Sequence, residues 1–435
     1  MNQYSVKKFF SLLIFWSVGS GCATYQHRIQ DGIEKLKSNQ VEEAVNHFKV
    51  LADKSKDSKD ELAYLLDYAT ALQIAGRYQE SAQMFIKADR LNDQLDYISV
   101  TQVAGATLGG EESIAYKAES YEKLMINGMN ALNFLAINDL ESAMVEVRRI
   151  DHKIKILQRD VRPDYQFNPF ATYLAGLIYE AQGQWDDAFL EYLRTYRLGL
   201  KKEILVTDLH RAALQAQRVE QLKSEGIWDE LLAKDLKKND CWLKKQCGMA
   251  TFIFLRGLGP QKLPLREDPR IPGLYPRKNQ VRYFKIKLTP SVTRIPALSF
   301  MPQGVDLTRE MVGEEIYNVT QVAIETLLAD RAALKARRFG AQVAKHVVAS
   351  RIEEKHKGLG SIALLLMMLS DRADLRQWAL LPDAIDLAKV PLPPGDWLWQ
   401  GEGVDELQQS VISFPGNTIQ VKPNKMIFKI LRTYK

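Results

Sequence analysis

Three cysteines are the residues of this 435-residue chain whose chemistry can be argued most directly. Cys241 and Cys247 stand six positions apart, a spacing that suits a small disulfide-closed loop in an oxidising compartment. The sequence by itself leaves open whether the two are bridged. A zinc site would need two further ligands, and the six histidines of the chain include none between His210 and His346. We therefore expect no metal and no other cofactor.

Catalytic signatures are the next chemistry to look for. The chain contains no His-Glu-x-x-His, no Gly-x-Ser-x-Gly and no phosphate loop ending in Gly-Lys-Ser or Gly-Lys-Thr. Adjacent carboxylates such as Glu314-Glu315 and Glu353-Glu354 do not face one another on a helix, so they indicate solvated surface. These observations predict a protein that is not an enzyme.

The third cysteine, Cys22, follows a targeting segment. A short basic stretch precedes the apolar run Phe9–Val18, and the small residues Gly19–Gly21 come next, which is the plan of a secretory signal peptide. The placement of Cys22 resembles a bacterial lipoprotein lipobox, although Gly19 stands where that motif usually has Leu. The resemblance implies acylation of Cys22 and removal of residues 1–21. A plain secretory signal and a buried structural cysteine are the alternatives.

Acyl chains on Cys22 would hold the protein on a lipid bilayer without a spanning helix, because each buried CH₂ contributes about 0.8 kcal/mol. By resemblance to Gram-negative lipoproteins, a residue other than Asp after the cysteine favours the outer membrane, and here that residue is Ala23. The resemblance therefore implies the periplasmic face of the cell outer membrane, with residues 22–30 as a tether. Nucleic acid is not expected as a partner, because this compartment lacks it.

Four helical segments of the first half share one pattern of small, bulky and turn residues. The turn positions are Asn39, Gly76, Asn138 and Gly183, where Gly or Asn accepts the left-handed backbone between two antiparallel helices. The pattern resembles the tetratricopeptide repeat. No single repeat buries its own apolar face, so a stacked all-α superhelix is expected over 31–222. A generic helical array is the alternative.

Seven short stretches extend this resemblance over nearly the whole chain. They are Ala115–Leu124, Ala131–Leu135, Val145–Arg149, Phe170–Glu180, Gly257–Pro260, Trp378–Pro382 and Leu392–Gly395. Together they look like a group of bacterial tetratricopeptide-repeat-containing lipoproteins with an N-terminal repeat array and a C-terminal β-rich domain. The three prolines within Asp268–Pro276 depart from the apolar strand pair usual for that group. The resemblance supplies no activity.

Six residues in these stretches are candidates for a partner-binding groove. They are Tyr116, Glu119, Tyr121, Glu146, Arg148 and Arg149. Glu146 and Arg149 are three apart on one predicted helix and can pair, while Arg148 and Arg149 could also meet an acidic partner. A purely structural role is the alternative. We expect the groove to bind a periplasmic or outer-membrane protein.

The second half changes from a helical to an alternating pattern. Five segments read as strands: Met249–Arg256, Val281–Leu288, Ile385–Pro391, Ile419–Val421 and Met426–Leu431. Pro394-Gly395 and Pro415-Gly416 are predicted hairpin turns. With 223–246 as a connecting helix or linker, these signals predict a mostly antiparallel β-sandwich over 247–435.

A helical pattern interrupts the strands between 313 and 372. The longer helix is predicted over Gly313–Glu354 and a shorter one over Ser361–Asp371. Because Ile362–Leu369 has no polar face, we expect the shorter helix to be buried in the core, with a partner groove or the bilayer surface as alternatives. The predicted fold class is α+β multidomain: an all-α TPR-like superhelix followed by a β-sandwich-like domain with an inserted helical hairpin.

Charge separates the two halves. Residues 241–435 hold 29 Lys and Arg against 18 Asp and Glu, whereas residues 1–240 hold 30 against 35. The excess lies in 241–300, which indicates either an anionic envelope surface as neighbour or a solvated basic face. We expect a non-enzymatic, lipid-anchored periplasmic adaptor. The alternative is a glycan-binding or glycan-processing lipoprotein of the cell wall that uses Trp397, Trp399 and Asp396.

Overall fold

The computed structural model describes residues 25–102, 114–160, 168–291, 308–355, 359–369 and 373–435. The predicted signal peptide and Cys22 lie outside these ranges. The first half is an array of antiparallel helix pairs. Its helices are α1 (Tyr25–Lys37), α2 (Val41–Lys54), α3 (Glu61–Ile74), α4 (Tyr78–Gln102), α5 (Ser120–Ala136), α6 (Leu140–Asp160), α7 (Pro169–Ala181), α8 (Trp185–Arg197), α9 (Glu203–Gln215), α10 (Val219–Ser224) and α11 (Glu230–Asn239).

The turn and small residues of the repeat pattern have the roles predicted for them. All four turn residues have left-handed backbones, with φ of 61° at Asn39, 73° at Gly76, 61° at Asn138 and 75° at Gly183. A Cβ at Gly176 would lie 2.4 Å from the Tyr192 ring, so only glycine allows α7 and α8 to approach this closely. The TPR-like array is thus confirmed.

The first helix begins earlier than expected. Six residues of the predicted tether belong to α1, which starts at Tyr25. Tyr25, Ile29 and Ile33 are buried, and their spacing of four places them on one face of the helix against the array. The polar residues between them conceal this stripe in the sequence.

The second half is a β-sandwich with an additional short hairpin. Its strands are β1 (Gly248–Arg256), β2 (Gln261–Pro264), β3 (Pro272–Tyr275), β4 (Tyr283–Pro290), β5 (Arg309–Val312), β6 (Glu314–Asn318), β7 (Ala384–Leu392), β8 (Gly395–Val404), β9 (Ser410–Val421) and β10 (Met426–Arg432). The first sheet has the order β10-β1-β7-β6, the second has the order β5-β4-β8-β9, and β2 pairs with β3. Strands β1 and β10 are parallel, whereas the other pairings are antiparallel.

The first sheet lies between the second sheet and the helical array. Phe252 and Phe254 of β1 belong to the core between the two sheets. Ile253 and Leu255, which point to the opposite face, belong to a core shared with the array helices. Because this shared core is continuous, the array and the sandwich pack as one body.

The predicted hairpin turns are wrong. Pro394-Gly395 connects β7 of the first sheet to β8 of the second, so it carries the chain from sheet to sheet. Pro415-Gly416 lies inside β9, where the register with β8 shifts between Trp399 and Gly401. Such a shift lets an edge strand accommodate a proline.

The predicted helical insertion also needs correction. Residues 314–318 form strand β6, because they pair with β7, and helix α12 (Val319–Lys355) begins only after them. The shorter helix is α13 (Leu359–Leu369). Its expected burial in the core is wrong for the side chains that the structure describes, since Leu359, Ile362 and Leu365 are each more than half exposed. No helix within the described ranges is long and apolar enough to cross a membrane.

Candidate functional site

The concave surface of the array is where a tetratricopeptide-like protein would bind a partner, and here the chain itself fills it. Residues 373–383, which we call the strap, link α13 to β7 and pass through the first half of the array. The indole of Trp378 is buried, and its Nε1 donates to Thr70 Oγ1 at 2.8 Å. Its ring packs against Phe85 with 5.5 Å between centroids. The strap therefore occupies the groove as a peptide ligand would.

Buried carboxylates of the array bind the strap through its backbone. The N–H of Trp378 donates to Glu122 Oε1 at 2.7 Å, and the N–H of Leu380 donates to Asp67 Oδ1 at 3.0 Å. Burial raises the pKa of Glu122, and the neighbouring Glu119 raises it further. Bonds of this kind fix the path of an extended segment without depending on its side chains.

Asp67, Tyr25 and the backbone carbonyl of Gln377 are linked by short hydrogen bonds at the same place. The Tyr25 hydroxyl oxygen lies 2.5 Å from Asp67 Oδ2 and 2.5 Å from the carbonyl oxygen of Gln377. A phenol has one proton, so it cannot donate to both oxygens. Burial raises the pKa of Asp67 to about 7. A protonated Asp67 satisfies every group, because it donates to Tyr25, which in turn donates to Gln377.

Arg376 fixes the start of the strap. Its guanidinium donates to the carboxylate of Asp60 at 2.9 Å and to the carbonyl oxygens of Lys59 and Ile114 at 3.0 and 2.8 Å. It also lies over the Tyr116 ring, 5.7 Å from the centroid. One side chain thus ties the strap to two loops of the array.

A lysine from the β-sandwich closes the second half of the groove. The side chain of Lys389, on β7, is fully buried. Its Nζ lies 2.7 Å from Glu180 Oε2 and 2.7 Å from Asp208 Oδ1. Lys389 stands opposite Thr251 of β1, on the face of the first sheet that meets the array.

Other buried groups complete the hydrogen bonding around Lys389. Tyr192 and Trp242 donate to Glu180, while Tyr173 and Arg211 donate to Asp208. Arg211 also pairs with Asp240 at 2.7 Å. Every charge in this cluster therefore has an opposite charge within hydrogen-bonding distance, which is the condition for tolerating charges in a protein interior.

Three of the predicted groove residues lie beside the strap. Tyr116 and Tyr121 are buried, and the Tyr116 hydroxyl donates to Glu122 Oε2 at 2.5 Å. Glu119 accepts from Lys262 Nζ at 2.6 Å, and it caps the N-terminus of α5. These side chains hold the protein's own segments, so they are not free to line an open groove.

The other three predicted groove residues lie together on α6. Glu146 is buried and accepts from Asn127 at 2.7 Å and from Arg149 at 3.2 Å, so the expected pairing of Glu146 with Arg149 is present. Arg149 and Arg148 are exposed. The structure therefore divides the six candidates into a group around Glu122 and a group on α6.

Cys241 and Cys247 form a disulfide. The bridge closes the turn between α11 and β1, within which the N–H of Gln246 donates to the carbonyl oxygen of Cys241. The adjacent Trp242 donates to Glu180 in the Lys389 cluster. The disulfide thus lies where the array passes into the sandwich.

Metal ligands do not cluster in the described part of the chain. It contains no group of three or more His, Cys, Asp or Glu placed to hold a metal ion. A Ser-x-x-Lys sequence, Ser120 to Lys123, begins α5, and there Lys123 Nζ donates to Asp96 at 2.6 Å. The buried carboxylates Asp67 and Glu122 both accept hydrogen bonds from the strap.

Many basic residues of the segment 241–300 have partners within the protein. Arg256 pairs with Glu315 and Asp386, at 2.5 and 3.1 Å, and is buried. Lys287 pairs with Glu310 across β4 and β5 at 3.2 Å. Part of the local positive charge is therefore balanced by acidic partners, in the interior at Arg256 and at the surface at Lys287. Arg294, in the same segment, lies outside the described residues.

The glycan-binding alternative needs exposed aromatic residues, and the structure buries them. Trp397 and Trp399 retain 2% and 4% of their surface and belong to the core between the two sheets. The Trp397 Nε1 donates to the carbonyl oxygen of Pro393 at 2.9 Å. Neither indole can stack on a sugar.

Sequence reasoning missed the strap and Lys389. A signal for Lys389 exists, because it is a lysine within the largely apolar strand Ile385–Pro391. A charge in such a strand implies a buried partner. The strap offers a weaker signal, namely a tryptophan in a short segment between a helix and a strand.

No protein-family model and no curated protein matches the chain. Among solved structures, a protein from Podosopora anserina with nearly identical TPR-like repeats has 14% identity and a TM-score of 0.33, and the match covers 49% of this chain and 96% of that one. MamA from Desulfovibrio magneticus RS-1 has 14% identity and a TM-score of 0.32, covering 48% and 94%. A tetratricopeptide repeat protein from Parabacteroides merdae has 11% identity and a TM-score of 0.23, covering 51% and 84%. These likenesses concern helical repeats alone.

Proposed function

We propose that the protein is a non-enzymatic scaffold, anchored through an acylated Cys22 to the periplasmic face of the outer membrane, which holds its β-sandwich toward a protein partner. The observation that carries this proposal is the closed groove. The array uses its concave surface to hold the strap and Lys389, so the surface left for a partner lies on the outside of the molecule.

The outer face of the second sheet is the surface best suited to that partner. Tyr283 of β4 is 45% exposed and Val312 of β5 is 52% exposed. Val312 stands opposite Lys285, two residues from Tyr283, so all three share the face turned away from the core. An exposed aromatic and an exposed aliphatic residue beside lysines form a mixed surface typical of protein contacts. Because it carries lysines, this face would also bind an anionic component of the envelope.

The proposal is tested by photo-crosslinking in the native cell. A photoreactive amino acid at Tyr283 or Val312 should yield a discrete crosslinked protein, whereas the same label at Leu190 should not. Leu190 is a matched control because it is 47% exposed and lies on α8 of the array. If only the label at Leu190 gave a crosslinked protein, the partner would bind the helical array and not the outer face of the second sheet.

The anchor is tested separately by mass spectrometry of the mature protein. The expected N-terminal peptide begins at Cys22 and carries acyl chains. A Cys22→Ser variant should leave the membrane fraction. An unmodified cysteine in the wild-type protein would overturn the proposed location and leave the crosslinking result unaffected.

A further inference from the structure

Among the described residues, the α12–α13 hairpin carries several large apolar side chains that are about half exposed. Helix α12 has 37 residues, about 55 Å, and its first turns pack on the body through Val319, Ala323 and Leu327. Helix α13 packs on α12: the Gly360 N–H donates to Glu353 Oε2 at 2.7 Å, and a Cβ on Gly360 would lie 2.5 Å from the Ala349 carbonyl oxygen. The hairpin is therefore a defined antiparallel pair.

Apolar residues follow one face of each helix of the hairpin. Leu359, Ile362 and Leu365 of α13 are 52%, 53% and 57% exposed and recur every three residues. Val343 and Val347 of α12, four residues apart, are 49% and 46% exposed. Helical spacing groups the members of each set on one side. A grouped apolar face of this kind marks a contact surface, unlike single exposed leucines.

The position of helix α1 indicates which partner contacts the exposed apolar residues of the hairpin. Gln26 Nε2 donates to the carbonyl oxygen of Leu375 at 2.8 Å, so α1 begins beside the segment that leaves α13. Cys22 is three residues before Tyr25, at most about 11 Å of extended chain. Leu365 lies ten residues before Leu375, at most about 27 Å along the chain. An acyl anchor on Cys22 would thus hold the base of the hairpin at the lipid surface.

Charge favours the same partner. Helix α12 carries seven Lys and Arg against four Asp and Glu, and α13 carries no charged residue. Arg351 and Lys355, near the end of α12, are exposed. Exposed basic residues beside exposed apolar side chains favour contact with anionic lipid headgroups, which attract the cations while the apolar groups leave water.

We propose that the α12–α13 hairpin docks on the leaflet that holds the acylated Cys22, with Leu359, Ile362 and Leu365 inserted at the level of the lipid headgroups. This inference rests on the anchoring proposed above. The hairpin then orients the molecule, because a flexible acyl tether fixes distance to the membrane but not direction. Two attachments, the acyl chains and the hairpin, leave the β-sandwich in a fixed orientation to the bilayer.

A polarity-sensitive bimane on Leu365→Cys tests the docking in the full-length mature protein. The acylated protein is reconstituted in vesicles of phosphatidylethanolamine and phosphatidylglycerol. We expect a blue-shifted emission and a several-fold loss of quenching by aqueous iodide. The control is Leu407→Cys, 76% exposed in the turn between β8 and β9, which should remain fully quenched. The native cysteines do not take the label, since Cys241 and Cys247 are bridged and the sulfur of acylated Cys22 is a thioether.

The outcomes separate the two proposals. A protein that floats with vesicles while the Leu365 label stays as quenched as the Leu407 label overturns the docking and leaves the anchor intact. If Cys22 proves unmodified, the anchor fails, and the docking is then decided by whether the Leu365 label shifts when vesicles are added. The bimane emission could instead shift without vesicles and shift further as the protein concentration rises. That result would show that the apolar face of α13 binds a second copy of the protein, and it would overturn the docking on a membrane.

A triple substitution gives an independent measurement. Leu359→Gln, Ile362→Gln and Leu365→Gln together should weaken vesicle binding of the Cys22→Ser protein at least tenfold. The thermal midpoint should not change, because all three side chains are largely solvated. Leu407→Gln is the matched control and should bind as the parent does. Equal binding by the triple variant and the control would overturn the proposal.

Discussion

The two halves of the array hold the β-domain by different chemistry. The first half binds the strap through backbone amides, the buried indole of Trp378 and the guanidinium of Arg376. The second half binds a single charge, Lys389, with two carboxylates. The first set of contacts is spread over several groups of the strap, whereas the second is concentrated in one side chain. The second therefore depends more on electrostatic balance than the first does.

The largest effect is expected in the first half, from Trp378→Ala. Removing the buried indole leaves a cavity and takes away the hydrogen bond that Trp378 donates to Thr70, so the free energy of unfolding should fall by roughly 4–5 kcal/mol. Urea denaturation followed by far-UV circular dichroism measures the loss. Trp228→Ala, a partly exposed tryptophan stacked on His210, is the control and should cost about 1 kcal/mol. Equal losses of unfolding free energy in the two variants would mean that the contacts of Trp378 stabilise the fold no more than those of a partly exposed tryptophan.

In the second half, Lys389→Met should cost about 3–4 kcal/mol, because it leaves Glu180 and Asp208 without their shared cation. Hydrogen exchange should rise in α7–α9 more than in α3–α5. Adding Glu180→Gln should restore more than half of the loss, because Glu180 loses its cation in the Lys389→Met variant whereas Asp208 keeps Arg211. A double variant no more stable than Lys389→Met would argue against electrostatic balance as the source of the effect.

Stability should fall with pH through the Asp67 carboxyl. Its folded pKa of about 7 exceeds the ordinary value of 3.8, so the protonated form favours folding. This contribution is complete below about pH 4 and is lost as the pH rises through 7, which amounts to roughly 2–3 kcal/mol between pH 5 and pH 8. Asp67→Asn mimics the protonated group, so its unfolding free energy should lack this pH dependence. Parallel pH profiles for the two proteins would show that Asp67 is ionised in the fold.

The smallest effect is expected from the disulfide at the edge of the second half. Replacing Cys241 and Cys247 by Ser opens a short loop and should cost about 2 kcal/mol. Reductant should lower the stability of the wild-type protein by the same amount and leave the variant unchanged. A reductant effect on the variant would point to a cause other than this bridge.

The repeat fold could be predicted because its signals are local. Asn39, Gly76, Asn138 and Gly183 each mark a turn by residue type alone. Strands such as β1 and β10 could be predicted for a similar reason, since they are short apolar runs. The pairing of β6 with β7 could not, because Glu314–Asn318 has no strand pattern of its own and depends on a distant neighbour.

The sequence could indicate only part of the surface that the strap fills. Tyr116, Glu119 and Tyr121 lie at the concave surface, beside Glu122, whereas the other three candidates lie on α6. That any of the six binds a partner stays a prediction. What fills that surface comes from more than 250 residues further along the chain, since Trp378 contacts Glu122 across a separation of 256. No local pattern encodes such a contact. For α13 a local pattern did exist, but it predicted the wrong environment. An apolar helix is ordinarily buried in its own protein, so the sequence predicted burial where the structure has exposed side chains.

Strand β10 is the last of the described elements, yet it lies beside β1 and completes the first sheet. During synthesis the array and β1 are made first, and the sheet can close only after residues 426–432 have been added. The strap is also made after the array, so a nascent molecule has an empty groove and an unpaired apolar strand. Such an intermediate is prone to aggregation until its last strand has been added.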